Sequence, residues 1–270
     1  MMPEWAEFWR LMAFALAIPM VMMAGVWMIS RVLNNAGVVD IFWSYGFIPV
    51  AVACAVLGGG DLTRSWLLVV MVTVWAARLG TYLLIRVAKH HPEEDGRYAA
   101  LRTQFPKHAW TMFFGFFETQ AVLIALLSVP FVLVFINGVP GLGGFEYAGV
   151  LLWFVAMLGE SVADGQLNRF RADPANQGKT CRVGLWRYSR HPNYFCEWSV
   201  WVAYFVYALG SPGGWMAVYA PALMYLFLTK VTGIKATEEH VVRSRGEDYR
   251  EYQRTTNAFF PWRPRTRALR

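Results

Sequence analysis

Charge is what this chain has least of. Asp, Glu, Lys and Arg make up 16% of its 270 residues, against roughly 25% in a typical soluble domain. Hydrophobic residues make up 56%, so a soluble domain of this length would lack the polar exterior it needs. Cysteine is scarce as well: Cys54, Cys181 and Cys196 are odd in number, far apart and outside any CxxC or Cys/His cluster of zinc spacing. Neither structural disulfides nor a metal site is expected. No GxGxxG follows a strand, and neither GxxxxGK[ST] nor HExxH occurs, which leaves a Rossmann domain, a P-loop and a zinc protease without support. The net charge of +7 does not make a nucleic-acid binder, because the cations sit in links between apolar runs. Anionic headgroups and a phosphorylated ligand suit that placement better.

What the chain does have is long apolar runs. A spanning helix needs about 20 mostly apolar residues. Seven stretches qualify: Leu11–Ser30, Val38–Leu57, Trp66–Val87, Phe113–Ile136, Tyr147–Ala163, Tyr194–Leu209 and Trp215–Ile234. They are continuously apolar, whereas barrel strands alternate, and a helix pairs its own backbone amides in lipid. Pro130 inside the fourth run is compatible with this, since neighbours can satisfy the freed carbonyl. The opening Met1–Arg10 is acidic and aromatic, so the first run is expected to be a retained helix and not a signal peptide. The expected class is an all-α, polytopic integral membrane protein with seven transmembrane helices, forming a single domain over residues 1–270.

The links differ sharply in charge. Arg31 follows the first run, and Arg86, Lys89, Arg97, Arg102 and Lys107 follow the third. Arg169, Arg171, Lys179, Arg182, Arg187 and Arg190 follow the fifth. The tail carries Lys235, Arg243, Arg245, Arg250, Arg254, Arg263, Arg265, Arg267 and Arg270. The opposite side holds only Arg10 and Arg64, while Arg78 and Lys230 lie inside runs. The positive-inside rule then puts the N-terminus outside and the C-terminus in the cytoplasm, a parity that seven spans satisfy.

Ionisable side chains inside apolar runs are costly and point to function by default. Asp40, Arg78, Glu118, Glu160, Glu197 and Lys230 lie in or at the edges of spans, which suggests a polar interior cavity. Glu160, Asp164, Asn168 and Arg171 are spaced by 4, 4 and 3, which gathers them on one helical face. That face runs from within the fifth span into a basic link. The stretch from Arg187 through Tyr188, Ser189, Arg190, His191, Pro192 and Asn193 to Tyr194 follows. Pro192 suits a first helical turn, and Asn193 shares a face with Glu197. Free amides at a helix start favour an anion, and Arg187 and Arg190 add donors suited to phosphate oxygens. In the tail, Lys230 precedes Thr237-Glu238-Glu239-His240 and a polar helical segment around Tyr249, and Phe259-Phe260-Pro261-Trp262 looks like an interfacial aromatic anchor.

These residues resemble a known family. Gly184 through Tyr194 with Glu197 is similar to the C-terminal signature of the steroid 5-alpha-reductases, most of all their bacterial membrane branch. Asp40-Ile41-Phe42-Trp43-Ser44-Tyr45-Gly46-Phe47, Arg78-Leu79, and Asp248-Tyr249 with Tyr252 and Phe259 to Trp262 match as well. The resemblance implies an NADPH-dependent reductase of a bacterial cytoplasmic membrane, a monomer that takes a membrane-soluble steroid or lipid enone from the bilayer. It implies cofactor contacts on Glu160, Asp164, Asn168, Arg171, Arg187, Tyr188, Arg190, His191, Asn193, Tyr194, Glu197, Lys230, Glu239 and Tyr249, within a half spanning about 155–262. Where steroid-reducing members carry a Gln-Glu pair and a Tyr near the steroid carbonyl, this chain has Asp40, Trp43, Tyr45 and Trp75.

The implied reaction reduces the Δ4 double bond of a 3-oxo-Δ4 steroid or similar enone to the 5α product. A donor must polarise the carbonyl as charge builds on its oxygen. Asp40, kept neutral by burial, is the first choice and the Tyr45 phenol the second. Two rivals stand beside this. Arg190-His191-Pro192-Asn193-Tyr194 is similar to the RHPxY element of isoprenylcysteine methyltransferases, although Cys196 replaces their Gly. A transporter or non-enzymatic membrane protein is the other, with no inverted repeat in its favour.

Overall fold

The computed structural model describes residues 5–231 and 233–265. Met1–Glu4 of the acidic opening, and Arg267 and Arg270 of the cationic tail, lie outside them. The described chain is helical in all its regular elements: α1 (Trp5–Leu33), α2 (Val38–Tyr45), α3 (Phe47–Leu57), α4 (Leu62–His90), α5 (Gly96–Gln104), α6 (Ala109–Leu127), α7 (Val129–Phe135), α8 (Gly144–Ala172), α9 (Pro192–Ala208), α10 (Tyr219–Leu226), α11 (Ile234–Arg245) and α12 (Glu247–Thr255). Among the described residues six helical stretches are long and apolar enough to cross a membrane: Trp5–Leu33, Val38–Leu57, Leu62–His90, Ala109–Leu127, Gly144–Ala172 and Gly214–Arg245. The protein is thus all-α and largely membrane-spanning. The expected sixth span is α9, whose 17 residues reach about 26 Å, just short of a hydrocarbon core of about 30 Å.

Helix α1 shows why these runs belong in lipid. Phe8, Leu11, Ala15, Pro19, Met23, Val26 and Ser30 form its one buried stripe. Val21, Met28 and Val32 on the other faces are well exposed. A helix that is apolar all round needs an apolar surround.

Two expected spans are broken, each for a local reason. The second divides at Gly46 into α2 and α3. Pro49 has no N–H to give the Tyr45 carbonyl one turn back. A side chain at Gly46 would meet Met22 Cε at 2.6 Å and Ile124 Cδ1 at 2.8 Å. The fourth divides at Ser128 into α6 and α7, because Pro130 leaves the Leu126 carbonyl without its helical donor. Ser128 closes the end of α6 by donating its hydroxyl to the Ile124 carbonyl at 2.8 Å.

The chain forms two compact units. One comprises Met1–Glu146 and Ala208–Ala217, the other Tyr147–Tyr207 and Val218–Arg270. The core of the first is aromatic: Trp75, Phe47, Phe113, Phe117, Phe131 and Phe135 are fully buried. Its loops are tied by Arg64, which donates from Nε to Glu146 at 2.7 Å and from Nη1 to the Val139 carbonyl at 2.6 Å. Arg64 Nη2 also donates to the Gly141 carbonyl. This explains one of the two cations on the cation-poor side of the pattern, the other being Arg10.

Candidate functional site

In the second unit the face read from the sequence on α8 exists as one uninterrupted helix. It passes from Glu160, which is buried, through half-buried Asp164 to exposed Asn168 and Arg171. Asp164 accepts a hydrogen bond from Asn193 Nδ2 at 3.2 Å, which joins this face to the first turn of α9. Buried Glu197, four residues along α9, accepts from Trp201 Nε1 at 3.2 Å. A hydrogen bond therefore joins the polar faces of α8 and α9.

The Arg190-His191 stretch has a different chemistry from the one expected. The Arg190 guanidinium donates from Nε to Glu238 at 2.6 Å and from Nη2 to its second oxygen at 3.2 Å. Nη1 donates to the carbonyls of Gln253 at 3.0 Å and Thr256 at 2.5 Å. With its fork committed to one carboxylate and two carbonyls, Arg190 is a clamp on the C-terminal segment. It is not the free phosphate donor that the sequence suggested. The correction has a simple cause: Glu238 and the end of α12 fold back onto it, a juxtaposition of residues some 50 to 65 apart.

Glu238 is the hub that the sequence reading missed. Besides Arg190 it accepts from Gln253 Nε2 at 2.8 Å and from the Tyr249 hydroxyl at 3.2 Å, and His191 Nε2 lies 3.2 Å from it. His191 stacks on Tyr194 with centroids 5.2 Å apart, and the Tyr194 hydroxyl is 3.3 Å from Thr237 Oγ1. Burial holds the His191 imidazole below its ordinary range, and the Arg190 charge acts the same way while Glu238 opposes it. The Tyr249 phenol, buried and facing Glu238, is pushed well above its ordinary value. His191, Tyr194 and Tyr249 thus meet at one carboxylate. Glu239 does not join them: it is exposed and lies 4.0 Å from Arg243. Lys230, in a π-helical turn after α10, is exposed, as are Arg187 and Tyr188. The signal for Glu238 was helical phase, since it falls one turn after the buried Ile234 while Glu239 is rotated by about 100°.

The other candidates lie in the first unit. Asp40 accepts from the Tyr98 hydroxyl at 2.7 Å and pairs with Arg97 at 2.9 Å and Arg86 at 3.5 Å. All three contacts bring protein donors to Asp40, so its oxygens are engaged where the sequence reading expected a group that donates to the substrate. The Tyr45 hydroxyl is 2.9 Å from Thr81 Oγ1, and its ring lies where a side chain on Gly80 would stand. Trp43 packs edge-on against Phe47 at 5.3 Å and Trp75 at 6.4 Å. Its indole N–H is buried and has no hydrogen-bond partner among the described residues. Leaving such a donor unmade costs about 1–3 kcal/mol, so it is a group with spare capacity for a ligand acceptor. Trp43 and Tyr45 are two residues apart on α2, about 200° around the helix, and do not converge.

Comparison with known proteins adds three findings. A family model described as "Protein of unknown function (DUF1295)" matches residues 26–256. An uncharacterized protein of Schizosaccharomyces pombe is 26% identical over 268 residues, covering 87% of this chain and 75% of its own. No solved structure gives a significant match.

Proposed function

Because the chain belongs to the DUF1295 family, a steroid 5-alpha-reductase-like group, we propose that it is an NADPH-dependent reductase of a membrane-soluble enone, with 3-oxo-Δ4 steroids as the leading substrate class. Family membership is consistent with an oxidoreductase acting on a lipid; the finer assignment is ours. We also carry forward seven spans with the C-terminus in the cytoplasm, a bacterial cytoplasmic membrane and a monomer.

The single observation that carries the reading is the run of acceptors from Glu160 through Asp164 to Asn168, tied to the Asn193 end of the reductase-like signature by a hydrogen bond of 3.2 Å. The donor set fits a dinucleotide. Carboxylates and amides suit ribose hydroxyls and the carboxamide. Arg171 and Arg187 are exposed and carry no ion pair among the described residues, which leaves them free for phosphate oxygens. When bound, NADPH would supply the hydride to the β-carbon of the enone. The chain's own part is to hold the cofactor, to exclude water through its apolar helices, and to polarise the carbonyl. We place that last role on the Trp43 N–H in preference to Asp40 and Tyr45.

The test is detergent-purified protein with NADPH and a panel of 3-oxo-Δ4 steroids, read by mass spectrometry for a gain of two hydrogens. Trp43→Phe should lower turnover by about a hundredfold, the scale of losing one donor at a developing oxyanion, with NADPH binding unchanged. No hydrogen gain across the panel would reject the steroid assignment. Methyl transfer from S-adenosylmethionine without NADPH oxidation would move the protein to the methyltransferases.

A further inference from the structure

The C-terminal aromatic segment builds a feature to which the reductase reading gives no role beyond Tyr188. Phe259 packs on Phe195, Trp198 and Tyr225 with centroids 5.8, 5.9 and 5.2 Å away. Phe260 stacks on Tyr225 and meets Trp198 edge-on at 5.8 Å. Phe195 and Trp198 belong to α9 and Tyr225 to α10, so the segment is fastened to apolar helices. The chain then turns outward. The Trp262 amide donates to the Tyr188 carbonyl at 2.9 Å, which fixes Pro261–Arg263 beside the link that enters α9. Tyr188, Pro261, Trp262 and Arg263 wall an open cleft of about 460 Å³.

The wall chemistry is specific. Trp262 is 71% exposed and Tyr188 42% exposed. Tyr and Trp rings of this kind settle at headgroup depth, with an apolar body toward the chains and a polar edge toward water. Arg263 is exposed and has no ion pair among the described residues. Arg187 and Arg265, close in sequence to the two sides of the cleft, are likewise exposed and unpaired. An arginine left without a carboxylate among the described residues, beside two aromatic rings at the entry to an apolar helix, fits a phosphate that carries acyl chains. A guanidinium takes phosphate oxygens in a fork, and the rings cover the glycerol region.

We propose that this cleft is a headgroup site for an acidic glycerophospholipid, separate from the Glu238 hub; this gives Tyr188 to the lipid and not to the nucleotide. It would fix the C-terminal segment at the bilayer surface.

The test uses the full chain, purified in detergent and exchanged with an equal mixture of phosphatidylglycerol and phosphatidylcholine, with retained lipids counted by native mass spectrometry. Wild type should keep phosphatidylglycerol in preference. Arg263→Gln should reduce that preference about fivefold, the scale of one cation at an anionic surface, and Arg263→Lys should restore most of it. Trp262→Ala should weaken retention of both lipids. Equal retention of the two lipids by wild type, or an undiminished preference in Arg263→Gln, overturns the proposal. So does a loss of NADPH affinity in Arg263→Gln with lipid retention intact, which would give the cleft to the nucleotide. Thermal melts of each variant identify any loss caused by misfolding, and the Lys variant then decides alone.

Discussion

Arg64 and Arg190 are built alike and placed in unlike surroundings. Each guanidinium takes one carboxylate through Nε and uses Nη1 on backbone carbonyls. Around Arg64 the partners are Glu146 and the loop carbonyls of Asn137, Val139 and Gly141. Arg64 and Glu146 are 3% and 1% exposed, and Glu146 also accepts from the Gly143 amide at 2.9 Å. Around Arg190 the shared carboxylate also holds His191, Tyr249 and Gln253. The first clamp ties a loop. The second gathers titratable and aromatic side chains, several of them on the reductase-like signature. A buried ion pair alone therefore says little about function; what else its carboxylate collects says more.

The largest expected effect is on the first clamp. Arg64→Ala leaves Glu146 buried without its cation and should cost about 3–5 kcal/mol, read as lost resistance to denaturation in detergent. Glu238→Ala should cost less, about 2–3 kcal/mol, because Arg190 keeps two carbonyls and the pair is nearer to solvent. If Glu238→Ala proves the more damaging, the contrast between a dry staple and a wetter hub fails.

Acid should separate the two regions further. Burial depresses the folded-state value of His191, so the unfolded chain binds the extra proton. The stability due to neutral His191 is present in full above the unfolded value of about 6.5 and is lost as pH falls below it toward the folded value. The melting temperature of wild type should drop between about pH 7.5 and 5.5, and His191→Gln should drop less. Equal drops would mean that His191 takes up its proton as readily in the folded hub as in the unfolded chain.

Much of the fold was legible because the bilayer imposes it. Runs of about 20 apolar residues had to be helices, and the polar residues spaced from Glu160 to Arg171 lie along one uninterrupted helix, α8. The break at Gly46 was not read, although Pro49 carried it, because the run seemed continuous when judged by hydropathy alone. Long-range pairing was beyond reach: Arg64 and Glu146 are 82 residues apart, Arg190 and Glu238 are 48 apart, and no local pattern joins them. Arg190 was matched to a phosphate and Asp40 to a neutral donor by residue type, before their protein partners were visible. Trp43 Nε1 stands out only once its lack of a partner is seen.

The smallest expected effect is the most discriminating. Glu238 and Glu239 are adjacent, and the family resemblance puts the nucleotide on Glu239. The hydrogen bonds instead converge on Glu238, while Glu239 is exposed with a distant Arg243. An exposed pair of this kind contributes about 0–1 kcal/mol, so Glu239→Ala should leave the melting temperature almost unmoved. If the hub supports the nucleotide site, Glu239→Ala should also leave NADPH affinity within about twofold, whereas Glu238→Gln should weaken it severalfold, since an amide cannot hold Arg190, His191 and Tyr249 as a carboxylate does. Fluorescence titration of NADPH against the two variants decides the matter. A loss confined to Glu239→Ala would show that the exposed carboxylate meets the ligand directly and that the hub is a staple like the one at Arg64.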